Sequence, residues 1–336
     1  MVNDIKNVFA DVHATLAANK SGVKKRRDSI AELAGAIKSL QTRRRQGEAS
    51  RLMKQPNVWF ATNQTNSGKR HRSIHLQILG ANVGTLKQVG RAFRFSPNKS
   101  TLAKIKKTNP DIGLTDEAEG WAWTGNANAC AKTDKYLREC KNLRAGKLHD
   151  EREIQWQLAD ALRGRKSGLA PALALLAPVT WDGLFTEIGT SINKDGKART
   201  GNIDLMVRSG KGPNTQFLVF EVKAPKERDW EKALLQALRY ASAIKIEANG
   251  FDGDESSSQN LKNYRAVLGA GGERKLNIGA VIVMRNPGDK QCEKIAQRLE
   301  QYFGNHSDNP IKPIGVLFYE FEGKAVGWKW LSGWKI

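Results

Sequence analysis

Asp204, Glu221 and Lys223 have the types and spacing for metal-ion chemistry. They sit in the stretch TGNIDLMVRSGKGPNTQFLVFEVKAP, residues 200–225, which reads as two strands joined by a turn. In the first, Ile203, Leu205 and Val207 point one way, and Asp204 and Met206 point the other. In the second, Phe217, Val219, Glu221 and Lys223 share a face. Ser209 to Thr215 supplies Gly, Pro and Asn for the reversal. An antiparallel pair of this kind brings Asp204 beside Glu221 and Lys223. Two carboxylates and an ammonium at the end of an apolar hairpin are costly to place there. A divalent metal ion accounts for them.

Asp204 followed by Glu221, Val222 and Lys223 at the end of an apolar strand resembles the PD-(D/E)XK nuclease superfamily. Gln236 and Tyr240, four apart on a helical pattern, are similar to the Gln-x-x-x-Tyr accessory motif of its RecB-type branch. The resemblance runs from about Asp150 to the C-terminus, and Ile203 stands where the family motif has a proline. Other acid-x-Lys triplets occur, as at Asp4 to Lys6 and Glu322 to Lys324. Only Glu221 combines a strand, a paired Asp and a following amphipathic helix.

The resemblance implies an α/β fold with a restriction-endonuclease-like mixed sheet flanked by helices. It also implies Mg2+- or Mn2+-dependent hydrolysis of nucleic-acid phosphodiesters. Asp204 and Glu221 are then metal ligands, with the Val222 carbonyl as a third. Lys223 serves the attacking water or the charge at phosphorus, and Gln236 and Tyr240 touch phosphate or hold Lys223. Glu187 resembles the extra metal-ligating acid of the first core strand; its alternative is a rim charge. Glu153, beside Glu151, resembles the glutamate of the first core helix; its alternative is favourable interaction with a helix N-terminus.

The elements that must position these residues are legible around them. Asp150 to Arg163 has a helical stripe of Ile154, Leu158, Ala161 and Leu162. Leu184 to Gly189 reads as a strand, and Lys194 to Arg199 as a basic turn in which Lys197 and Arg199 can steer a phosphate. Asp229 to Ile246 is helical, with Trp230, Ala233, Leu234, Ala237, Tyr240 and Ala241 on one face. Residues 249–277 read as an insertion. Ile278 to Met284 is a buried strand, Asp289 to Phe303 a helix, and 314–319 and 325–330 closing strands.

The N-terminal half has a different character. Of a net charge of +21 over 336 residues, residues 1–150 carry +16, from 28 Lys and Arg against 12 Asp and Glu. Between Glu48 and Asp111 there is no acid, yet there are 12 Lys and Arg. One sign over so long a span points to a polyanionic partner, nucleic acid before an anionic membrane. Residues 1–54 read as a basic helical hairpin, broken at Asn19 to Ser29. Val58 to Ala61, Ile74 to Leu79 and Arg91 to Phe95 read as strands. Lys69, Arg70 and Arg72 in the polar loop between the first two strands, with Arg91 and Arg94, are candidate phosphate contacts. Trp121 and Trp123 are assigned to the core in preference to base stacking.

These readings divide the chain into 1–145, an α+β basic nucleic-acid-binding domain, and 146–336, the nuclease domain. Cys130, Cys140 and Cys292 are odd in number and lack C-x-x-C spacing, which disfavours a disulfide framework or zinc ribbon and fits a reducing cytoplasm. No apolar run is long enough to span a membrane, and no secretory signal is seen at the start. The expected function is a DNA nuclease, an endonuclease of host defence or mobile-element processing, with Mg2+ or Mn2+ as cofactor. Without a helicase motif, end resection needs a helicase/ATPase partner; a homodimer is also compatible. The alternatives are a non-catalytic nucleic-acid-binding protein on a decayed nuclease fold and an RNA-directed nuclease.

Overall fold

The computed structural model describes residues 2–32, 35–36, 59–61, 73–78, 81–90, 92–114, 120–123, 127–143, 151–163, 184–199, 201–209, 216–251, 259–268, 276–303, 309–312, 314–322 and 325–332. The chain begins with α1 (Val2–Ala18) and α2 (Lys20–Ala31). Then follow β1 (Trp59–Ala61), β2 (Ser73–Ile78), β3 (Ala81–Val89), β4 (Ala92–Pro97), α3 (Lys99–Thr108), β5 (Trp121–Trp123) and α4 (Ala127–Asn142). The remainder is α5 (Glu151–Arg163), β6 (Leu184–Thr190), β7 (Gly201–Ser209), β8 (Gln216–Val222), α6 (Trp230–Asn249) and α7 (Gln259–Val267). It ends with β9 (Asn277–Arg285), α8 (Asp289–Phe303), β10 (Ile314–Glu322) and β11 (Ala325–Ser332). The architecture is mixed α/β.

Two compact units result, one of Met1–Ala31 with His149–Ile336, the other of Glu32–Leu148. The sequence reading put the first two helices in the basic N-terminal domain. They pack instead in the larger unit, α1 against α6 and α2 against α7. The cause is α6, which is apolar on nearly every side. Besides the expected stripe it buries Leu238, Ile244 and Ala248, so it needs cover beyond the β8 and β9 strands it lies against. The α1 stripe of Ile5, Val8, Val12 and Leu16 supplies that cover.

The basic run in α2 is likewise split. Lys24 and Lys25 are exposed, whereas Arg27 is buried at 2% exposure. Arg26 lies against Gly189, whose added Cβ would fall 2.0 Å from Nη2, so a larger residue there would displace the guanidinium. The Arg26 charge faces buried Glu247. Glu247 accepts from the Ser191 amide at 2.8 Å and from the Tyr264 hydroxyl at 2.9 Å. This cluster ties α2, α6 and α7 to the turn that follows β6.

In the larger unit the strand order is β11-β10-β9-β8-β7-β6. β8 and β9 run parallel, as do β9 and β10; the other pairs are antiparallel. The parallel joins need crossovers, made by α6 with α7 and by α8. β8 and β9 are buried on both faces, as their unbroken apolar runs predict.

The smaller unit is an antiparallel meander, β1-β2-β3-β4-β5. β3 escaped sequence reading because Asn82, Thr85, Lys87 and Gln88 dilute its apolar face. At a shift in the β2–β3 register Gly84 stands opposite Leu76, and a Cβ there would meet the Phe95 ring at 2.6 Å. Trp121 belongs to the core: it is 5% exposed, its Nε1 donates to Thr133 Oγ1 at 2.8 Å, and its ring lies 5.1 Å from that of Phe95. Cys140 and Cys292 are buried free thiols. No helix among the described residues is long and apolar enough to cross a membrane.

Candidate active site

β7 and β8 pair with Leu205 opposite Phe220 and Met206 opposite Val219. One further step sets Asp204 across from Glu221 on the same face. Asp204 Oδ2 accepts from the Val222 amide at 2.7 Å, which locks its carboxylate to the neighbouring strand. Lys223, two residues beyond Glu221, lies on that face too. Its Nζ donates to Glu221 Oε1 at 2.6 Å and to Gln236 Oε1 at 3.1 Å. Gln236 Nε2 in turn donates to the Tyr240 hydroxyl at 3.3 Å. The four-residue spacing on α6 thus presents both side chains to the strand end. The Asp229 side chain caps the helix by accepting from the Lys232 amide at 3.0 Å. Glu221, Lys223, Gln236 and Tyr240 meet in one chain of contacts, and Asp204 adjoins it through the Val222 amide.

The electrostatics are those of crowded acids. Burial pushes Glu221 up to about 7, although Lys223 beside it pulls the other way. Asp204 is raised well above its ordinary value, by burial first, then by Glu221 and Glu151. Burial alone would lower Lys223, but the Glu221 charge and hydrogen bond raise it above its usual range and keep it an ammonium. Burial likewise raises Tyr240, so its hydroxyl stays protonated. Glu221 is 2% exposed, and its Oε2 has no hydrogen-bond partner among the described residues. An orphaned carboxylate oxygen in such a place is costly.

Set against family models, curated proteins and solved structures, the chain matches none.

What the site can do follows from its own donors. Two oxygen ligands suit a hard divalent cation, which takes one or two carboxylates and otherwise keeps water. A cation here would complete Glu221 Oε2 and relieve the repulsion between the acids. Among the described residues no group of three His, Cys, Asp or Glu is placed to hold a metal ion, so Asp204 and Glu221 are the carboxylates on offer there. Glu187 lies in register between the pairs Thr186↔Leu205 and Ile188↔Ile203, which brackets Asp204 on the adjoining strand. Its side chain is outside the described residues. Val222 is fixed at the end of β8 by the same amide that holds Asp204.

Helix α5 brings a different acid from the one singled out in the sequence. Gln155 Nε2 donates to the Asp204 carbonyl oxygen. Glu151, one turn earlier on the same face, places its charge on Asp204, Glu221 and Lys223. Glu153 lies about 160° further round the helix from Glu151 and is buried, at 9% exposure, away from that face. The helical period, read together with the Asp204 contact of Gln155, is the signal that separates the two. Glu151→Gln is expected to slow turnover by about tenfold, as loss of an outer carboxylate does, and Glu153→Gln by less than about twofold. Kinetics of both variants on one oligonucleotide check this.

The basic turn after β6 is built on Asn193, whose Oδ1 accepts from the Asp195 and Lys197 amides at 3.1 and 2.9 Å. Lys197 and Arg199 are exposed on it. Lys194, which the sequence reading left in the background, is the one whose charge reaches Glu221. In the smaller unit, Arg94 Nη2 donates to the Gly120 carbonyl at 3.1 Å and is half-buried, so part of its guanidinium is structural. Lys69, Arg70, Arg72 and Arg91 lie outside the described residues.

Proposed function

We propose that the chain is a divalent-metal-dependent nuclease of restriction-endonuclease-like fold that hydrolyses phosphodiester bonds in DNA. The observation that carries this is Asp204 paired with buried Glu221, an ammonium locked beside them and Glu221 Oε2 left without a hydrogen-bond partner among the described residues. Asp204 and Glu221 would hold Mg2+ or Mn2+, with the Val222 carbonyl in reach of the same site. Bound there, the ion supplies Lewis-acid charge at the scissile phosphate. Lys223, held between Glu221 and Gln236, keeps a positive charge aimed at the phosphorus centre. Gln236 and Tyr240 fix the Lys223 rotamer. The net positive charge gathers the polyanion, most strongly through the acid-free span between Glu48 and Asp111.

A second reading, binding without cleavage, rests on the net charge of +21, which would gather nucleic acid with or without chemistry. Incubation with circular and linear duplex DNA, single-stranded DNA and RNA, each with Mg2+, Mn2+ or EDTA, decides between them. Cleavage that needs the metal and prefers DNA supports the nuclease. Binding with no cleavage under any condition establishes the second reading.

A further inference from the structure

The C-terminal ends of β8, β9 and β10 open in one direction, because the three strands are parallel. Beyond them lies a cavity of about 510 Å3, distinct from the carboxylate cluster. That volume is in the range of small-ligand pockets. Arg228 and Arg285 line it, and no acid does. The acids nearby have other partners: Glu231 with Arg298 and the Tyr302 hydroxyl, Asp289 with Lys329, Glu227 with the Arg228 and Asp229 amides, Asp229 with its own helix cap, and Glu320 with the wall residue Asn286. Among the described residues no ion pair engages either arginine.

The rest of the lining is mixed, with Trp230, Met284, Pro287 and Ile295 apolar and Asn286 and Gln291 polar. Met284 and Ile295 are each 1% exposed, and Trp230 stacks on Tyr302 with centroids 6.3 Å apart. Asn286 holds the loop wall, its Oδ1 accepting from the Gly288 amide at 3.0 Å. Gln291, exposed on the first turn of α8, completes the lining. The cavity is joined to the carboxylate cluster through Tyr319. Its hydroxyl donates to the Lys223 carbonyl at 3.0 Å, and the charges of Arg285 and Arg228 reach that hydroxyl.

We propose that this cavity binds one nucleotide of the nucleic-acid strand, its phosphate held between Arg228 and Arg285 and its sugar and base against the apolar side formed by Pro287 and the edge of Trp230. Two guanidiniums without acidic partners match a phosphate. The apolar wall favours a nucleotide over a bare anion. The pocket thereby holds the strand beside the bond to be cut; this role rests on the nuclease reading.

The test is calorimetric titration of the full chain in EDTA with thymidine 5′-monophosphate, thymidine and inorganic phosphate, repeated on R228A/R285A. Both arginines are exposed, and the variant's thermal melt reports whether the fold is kept. The monophosphate is expected to bind at least about tenfold more tightly than either fragment, and the double variant to lose about tenfold or more of that affinity. On an oligonucleotide, the double variant is expected to raise KM by about tenfold with kcat within about twofold, the signature of lost uniform binding. Thymidine or phosphate binding as tightly as the monophosphate, or an unchanged double variant, overturns the pocket. Monophosphate binding in a chain that cuts no nucleic acid sinks the nuclease reading and leaves the pocket standing.

Discussion

Glu221→Gln is expected to reduce DNA cleavage by about a thousandfold or more while leaving DNA affinity in EDTA within about threefold. Gln has nearly the volume of Glu, so the packed end of β8 keeps its shape. What is lost is the charge that pairs with Lys223 at 2.6 Å and half of the carboxylate pair offered to a cation. Asp204→Asn should fall by a similar factor, because it removes the other half of the carboxylate pair while its amide oxygen can still accept from the Val222 amide. Lys223→Met removes the one ammonium in the chain of contacts and should cost as much. The three effects are not additive, since the residues act as a unit. Single-turnover cleavage of a labelled duplex, with filter binding in EDTA alongside, measures both quantities. Wild-type cleavage by Glu221→Gln removes the assignment outright.

How much of this was legible in the sequence depends on which interactions are local. The β7–β8 hairpin and the Gln236–Tyr240 pair were readable because a period of two and an i, i+4 spacing determine which side chains share a face. Glu151 was not, since choosing it over Glu153 requires knowing which side of α5 meets β7. That is a tertiary fact, carried here by Gln155 on the Asp204 carbonyl. Lys194 was hidden for the same reason, its reach to Glu221 depending on how the turn after β6 folds back. The first helix was legible, but Asn19 to Ser29, read as a break, is helix from Lys20 to Ala31, and both helices were given to the wrong neighbour. Their basic residues suggested a nucleic-acid face, whereas Arg26 and Arg27 turn inward on the larger unit and the apolar stripe of α1 answers the exposed side of α6. β3 and α3 were missed because their polar residues break the apolar period. What fixes them is register against β2 and β4 and the Asn98 cap, whose Oδ1 accepts from the Ser100 and Thr101 amides at 3.1 and 3.2 Å.

The acids should also make stability depend on pH and on divalent cations together. Glu221 titrates at about 7 in the folded chain against an ordinary 4.5, and Asp204 is raised as well. Between these two values the folded chain holds a proton on Glu221 that the unfolded chain has released. Without a cation, stability therefore falls as pH rises through the window from about 4.5 to 7, and this group contributes no further change above it. The rise corresponds to roughly 3 kcal/mol favouring the protonated form, or a melting shift of several degrees. A cation bound by Asp204 and Glu221 needs them ionised, so Mg2+ competes with these protons. Its stabilisation should be small at pH 5.5 and large at pH 8. Glu221→Gln has no proton to lose: its melting temperature should exceed that of the parent at pH 8 in EDTA, and neither pH nor Mg2+ should move it as far. The difference between parent and variant, measured by thermal melting at both pH values with and without Mg2+, isolates this carboxyl from every other titrating group. An equal Mg2+ shift at both pH values, or one that survives in Glu221→Gln, would mean the cation binds elsewhere on the chain.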